Sequence, residues 1–106
     1  MPVLSPDLSR KKRMRLAVGE QLAIREAIHA VDEEASIYLF GSRVDDAARG
    51  GDIDLLVLSS RIALIAKLGI LARLHQQLGE RKIDLVVYAD ASRPFPRMVI
   101  EEGVRL

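Results

Sequence analysis

The chain has 106 residues, 49% of them hydrophobic and 29% charged, with no cysteine; one globular domain of this size can bury a core, while disulfide-stapled and thiolate–zinc folds are excluded. No apolar run reaches the roughly 18 residues of a membrane span, and the basic N-terminus is not followed by the apolar core of a secretory leader, so a cytoplasmic protein is expected. The net charge of +1 is uneven: Arg10, Lys11, Lys12, Arg13 and Arg15 against Asp7 give the first 15 residues +4, and the remainder, at −3, lacks the strongly basic surface of a nucleic-acid-binding domain.

Ser5-Pro6-Asp7 reads as a helix start, with serine at the N-cap and proline at the first helical position. The helix is expected to run to about Glu34, with Leu16, Ala23, Ala27, Ile28 and Val31 as its apolar stripe. Its five leading cations point all around such a helix, as a solvated helix start does. Ile37-Tyr38-Leu39-Phe40 is a short apolar run ending at Gly41 and reads as a buried strand. Gly50-Gly51 breaks the chain before a second strand over 53–58. Ser59 or Ser60 is expected to cap a second long helix to Leu78, with Ile62, Ile65, Leu68 and Ala72 on its apolar side. Gly79 ends that helix in the usual place for glycine. A third strand follows over 83–88, then a turn over 92–96 and a short helix over 97–102 closed by Gly103. The order predicts one α/β (α+β) domain spanning residues 1–106, a small sheet backed by helices.

Side chains alternate along a strand. Asp52, Asp54, Leu56 and Leu58 therefore share one face, and Ile53, Leu55 and Val57 the other. Asp84, Val86 and Tyr88 share a face of the third strand. Both faces are apolar beyond the acids. One is expected to lie on the two long helices, and the other to need cover from the C-terminal segment or from a partner. Tyr38 and Tyr88 are expected in the core, and His29 and His75 in ordinary surface or boundary positions.

Asp52 and Asp54 lie two residues apart, which puts their α-carbons about 6.5–7 Å apart on one face. Their carboxylates can converge on a metal pair about 3.5–4 Å apart. If the third strand is a neighbour, Asp84 reaches the same place. Three carboxylates suit Mg²⁺, which takes oxygen ligands and keeps waters and substrate phosphates in its shell. Asp84 is then a metal ligand or a general base. Taken singly, Asp84 reads as a solvated strand end and Asp52 as part of an ordinary Gly-Gly-Asp turn. Asp54 is different: it sits inside an apolar strand, where an unpaired carboxylate is costly. Gly41-Ser42 leaves a strand directly. Glycine lets backbone approach a phosphate, the serine amide and hydroxyl can both donate to it, and Arg43 can add a charge-assisted bond. Arg49 is a second candidate phosphate contact.

This constellation resembles the nucleotidyltransferase superfamily of the DNA polymerase β type. The likeness lies in Leu39-Phe40-Gly41-Ser42-Arg43, in Asp52-Ile53-Asp54-Leu55, in Ile83-Asp84-Leu85-Val86, and in the ending Ile100-Glu101-Glu102-Gly103-Val104. The small MNT (minimal nucleotidyltransferase) domains are most similar. The resemblance implies a palm-like mixed sheet backed by helices. It implies that Gly41 and Ser42 hold the β- and γ-phosphates of ATP or another nucleoside triphosphate, that Asp52 and Asp54 bind two Mg²⁺ ions, and that Asp84 is the third carboxylate. It also implies a partner, since MNT proteins of bacteria and archaea commonly pair with a helical HEPN toxin and act as its antitoxin, some by transferring AMP to it. This chain departs from the family in Asp45-Asp46, two extra acids beside the phosphate loop, and in a spacer about one residue shorter. It leaves no room for an added acceptor-binding domain. Two readings follow: a Mg²⁺-dependent transferase acting on a partner protein, or a module that neutralises the toxin by docking alone. A third has the basic N-terminus binding RNA, and homo-oligomers are compatible with all three.

Overall fold

The computed structural model describes residues 16–41, 52–79 and 81–106. Its elements, in chain order, are α1 (Val18–His29), β1 (Ser36–Phe40), β2 (Ile53–Leu58), α2 (Leu64–Leu78), β3 (Ile83–Tyr88), α3 (Pro94–Glu102) and β4 (Val104–Arg105). The strands form one sheet in the order β3-β2-β1-β4. β1 runs antiparallel to both β2 and β4, and β2 runs parallel to β3. A parallel pair needs a crossover, and α2 supplies it. The result is the mixed, helix-backed sheet of the expected α/β class.

The two faces of the sheet carry two separate cores. Ile37 and Leu39 of β1, Ile53, Leu55 and Val57 of β2, and Ile83 and Leu85 of β3 pack against Ile24, Ala27 and Ile28 of α1 and Ile70 and Leu74 of α2. On the other face, Tyr38 and Leu56 are buried with Val99 of α3, and Phe40, Leu58, Val86, Tyr88, Phe95 and Ile100 pack around them. The C-terminal segment thus supplies the cover that the second face was expected to need. α3 begins three residues before the expected start, because Pro94 occupies its first turn, where a missing N–H costs nothing. Gly103 then turns the chain back onto the sheet. A Cβ there would stand 2.6 Å from the Leu39 carbonyl oxygen and 2.8 Å from that of Val99, so only glycine permits the approach. β4 pairs Val104 with Leu39 and Arg105 with Tyr38, and the Leu106 N–H donates to the Ile37 carbonyl at 2.9 Å.

Three expectations are corrected. The first helix is not continuous from Ser5 to Glu34. It starts at Val18, where the Glu20 carboxylate accepts the Ala17 N–H, and it stops at His29; the Ser5-Pro6-Asp7 start lies outside the described residues. It stops early because Asp32 diverts the backbone. The Asp32 carboxylate is buried, accepts the Glu34 N–H at 3.0 Å, and accepts the Ser59 hydroxyl at 2.5 Å. Short polar side chains that bond nearby backbone compete with the helix in this way. The second helix is not capped by Ser59 or Ser60. Ser59 is spent on Asp32 and on the Arg61 N–H, and the helix begins at Leu64 after an extended Ala63. The apolar side of that helix is also not the one expected. Ile62, just ahead of it, is buried, but Ile65 and Leu68 face outward, 82% and 55% exposed, while Ile70 and Leu74 face the sheet.

Tyr38 is buried and His75 exposed, as expected, whereas Tyr88, expected in the core, is only half-buried at the edge of the second one. His29 Nε2 donates to the Ala35 carbonyl at 3.0 Å. Arg81, entering β3, bonds Glu20 of α1 at 2.7 Å. No helix among the described residues is long and apolar enough to cross a membrane.

Candidate functional site

Two neighbouring strands bring Asp54 and Asp84 together. β2 and β3 pair in parallel with Asp54 opposite Asp84 and Ile53 opposite Ile83. Facing residues on adjacent strands share a face, with the strands about 4.8 Å apart. Asp54 is half-buried and Asp84, on the edge strand, is exposed. Like charges directly opposite one another repel across a sheet. A cation between them turns the repulsion into attraction.

On its other side Asp54 pairs with Phe40, the last residue of β1. The next residue, Gly41, takes φ +83°, and a Cβ there would lie 2.5 Å from Asp54 Oδ2 and 3.3 Å from its Cγ. The positive φ favours glycine and the space admits nothing else. Gly41, where the chain leaves β1, therefore lies directly against the carboxylate inside β2. Asp52 is half-buried and immediately precedes β2, two residues from Asp54. Asp52 and Asp54 each have polar or electrostatic partners.

An aromatic cluster begins beside Asp54, at Phe40. Phe40 meets Phe95 of α3 edge to face, with centroids 5.5 Å apart, and Tyr88 lies 5.9 Å from the same ring. Geometry of this kind is favourable beyond the area it buries, and it anchors the start of α3 beside the end of β1. Sequence reading did not single out Phe40 or Phe95, although Phe40 directly before Gly41 was signal enough to place it beside the turn.

Of the residues read as the site, Gly41, Asp52, Asp54 and Asp84 are described. Ser42, Arg43, Arg49, Asp45 and Asp46 lie outside the described residues. Among the described residues no three or more His, Cys, Asp or Glu side chains are grouped closely enough to hold a metal ion. What the strands do assemble is the in-register pair Asp54–Asp84, with Asp52 two residues before it. Mg²⁺ is commonly bound through one or two carboxylates together with substrate phosphates, so this all-oxygen, solvent-accessible donor set fits it.

A family model described as Polymerase beta, Nucleotidyltransferase matches residues 23–106, which covers all the described strands and the whole acid cluster. No curated protein matches the chain.

Proposed function

Because the chain belongs to the polymerase β nucleotidyltransferase family, we propose that it is a Mg²⁺-dependent enzyme that transfers AMP from ATP to a hydroxyl of a partner protein, and that the partner is a helical HEPN-type toxin silenced by the transfer in a bacterial or archaeal cytoplasm. The observation that supports this reading best is the contact of Gly41 with Asp54, in register with Asp84. It puts the first residue of the Gly41-Ser42 sequence against a carboxylate pair. In this reading Asp52 and Asp54 hold the metal, which when bound would orient the triphosphate and lower the pKa of the attacking hydroxyl. Gly41 keeps the space beside Asp54 open, and Ser42 with Arg43 and Arg49 holds the β- and γ-phosphates. The acceptor oxygen bonds to the α-phosphorus, the bond from that phosphorus to the β-phosphate oxygen breaks, and pyrophosphate leaves. Asp84, exposed on the edge strand, completes the carboxylate set as a ligand or as acceptor of the hydroxyl proton.

The test is transfer of label from α-labelled ATP with Mg²⁺ to a co-purified helical partner. Wild type is expected to label the partner, and Asp54→Asn to lose at least about 100-fold in rate, the scale on which a transition-state charge contact counts. Absence of transfer by wild type, or equal transfer by Asp54→Asn, overturns the enzymatic reading. The two acids Asp45-Asp46 beside the phosphate loop favour a second reading, neutralisation by docking alone. That reading expects the Asp52→Asn/Asp54→Asn double variant still to bind and silence the partner; protection lost with binding intact argues against it.

A further inference from the structure

We propose that the outward face of α2 is a self-association surface, on which two copies of the chain pair about a twofold axis with their α2 helices antiparallel. At 100° per residue, the side opposite the buried Ile70 and Leu74 runs from Leu64 and Ile65 through Leu68, Gly69 and Ala72. Leu64 is 66% exposed, Ile65 82% and Leu68 55%. Single exposed apolar residues are normal on a protein surface, but a contiguous stripe of them marks an interaction site. Val18 and Leu22 are also exposed, on α1, which packs against α2 in the same layer.

The chemistry of the face selects a second copy as its occupant. A twofold interface sets each patch against its own image, so any charge near the axis meets a like charge. This face carries no Asp, Glu, Lys or Arg; its polar groups are His75 and Gln76 at the C-terminal end. Lys67 and Arg73, half-buried, sit at its flanks and point 100° or more away from its centre. The chain's net charge of +1 adds little long-range repulsion between copies.

Gly69 supplies an independent argument. Glycine in a helix interior weakens the helix relative to alanine. Among the described residues nothing lies within 4 Å of where its Cβ would stand, so their packing within one copy gives no reason for glycine there. Close approach of a second helix does. With the axis between Leu68 and Gly69, Leu68 of one copy lies over Gly69 of the other, and Ile65 lies over Ala72. Large residues then meet small ones on both sides, which is how close-packed helices interdigitate. The acids lie on the other face of the sheet, beside α3, so pairing leaves both candidate sites open and does not depend on any nucleotide chemistry.

The test is sedimentation velocity of the full 106-residue chain across the micromolar range, with circular dichroism confirming the fold of each variant. Wild type is expected to sediment as a dimer. Leu68→Glu is expected to weaken pairing by about 100-fold or more, because it buries two opposed carboxylates at the axis. Gly69→Leu is expected to abolish pairing while raising the thermal midpoint of the dilute monomer, a combination that a misfolded variant cannot produce. A wild-type chain that stays monomeric throughout, including one captured through this face only by a different helical protein, overturns the proposal. So does a folded Leu68→Glu or Gly69→Leu variant that sediments as wild type does.

Discussion

Gly41 carries two demands at once. Its φ of +83° disfavours any side chain, and its missing Cβ is what lets Asp54 Oδ2 come alongside. Alanine meets both obstacles: the backbone is strained, and the carboxylate must move off its rotamer. Gly41→Ala is therefore expected to destabilise the fold by about 1–3 kcal/mol, measured by urea unfolding. It is also expected to weaken Mg²⁺–ATP binding, measured by titration calorimetry, more than that stability loss explains, because the displaced group is the acid itself. A variant with wild-type affinity would show that the contact with Asp54 is structural only. Asp54 was legible in the sequence because it sits inside an apolar strand, where a carboxylate is costly; Asp52 and Asp84, ordinary when taken singly, were legible only together with it. Their pairing was not: alternation puts Asp54 and Asp84 on faces of their own strands, but only the parallel register sets them side by side. Gly41 was read as a phosphate-loop residue, and its contact with the acid is a tertiary fact that no spacing encodes.

At the scale of elements, the strands were more legible than the helices. Residues 53–58 and 83–88 are bounded by charges, glycine or turn residues and are too short to be buried helices, so their limits follow from composition. The first strand gains only Ser36 over the expected 37–40. The helices failed where an apolar stripe had two explanations. Ile65, Leu68 and Ala72 have the spacing of a core face, yet Ile70 and Leu74 are the residues buried, because α2 is apolar nearly all round and the sheet took the other side. The ends of α1 and α2 failed through one shared bond, Ser59 to Asp32, which ties the turn after α1 to the end of β2. The hydrogen bond from Ser59 is the main influence holding the Asp32 carboxyl below its ordinary value, followed by the Glu34 N–H, with Arg61 helping and burial opposing. A lowered pKa in the folded state means that the charged form is the stabilised one. The stability from this contact is thus full above the ordinary carboxylate range near pH 4 and is lost as pH falls through the lowered value. Ser59→Ala is expected to lower the urea midpoint at pH 7, and the gap to wild type is expected to narrow progressively below pH 4. A gap that stayed constant with pH would show that Ser59 acts by packing and not through the Asp32 charge.

On the scale of the whole molecule, the chain builds a sheet with an apolar core on each face and assigns the two faces different work. α1 and α2 close one face. Among the described residues the other is closed by the last segment, through Val99, Phe95 and Ile100 of α3, while β4 adds the outer strand beside β1. That same face carries Asp54 and Asp84 at the open end of the strands, so the segment that covers the apolar residues also borders the candidate site through Phe95 and Phe40. The sequence predicted that a second cover was needed, and its short C-terminal helix was the right length to supply it; what it could not show was that Gly103 folds the chain directly onto Leu39. Removing residues 93–106 strips that cover from Tyr38, Leu56 and Leu58 and deletes a strand. Burial of apolar area is the main favourable term in a domain with only about 5–15 kcal/mol of net stability, so the shortened chain is expected to lose cooperative unfolding and to bind a hydrophobic dye such as anilinonaphthalene sulfonate. Removing only residues 104–106 takes away the β4 hydrogen bonds but leaves α3 and its core in place. This shorter deletion is expected to keep a cooperative transition at a lower midpoint, without dye binding. Equal behaviour of the two would mean that β4 pairing, not the α3 core, holds the second face closed.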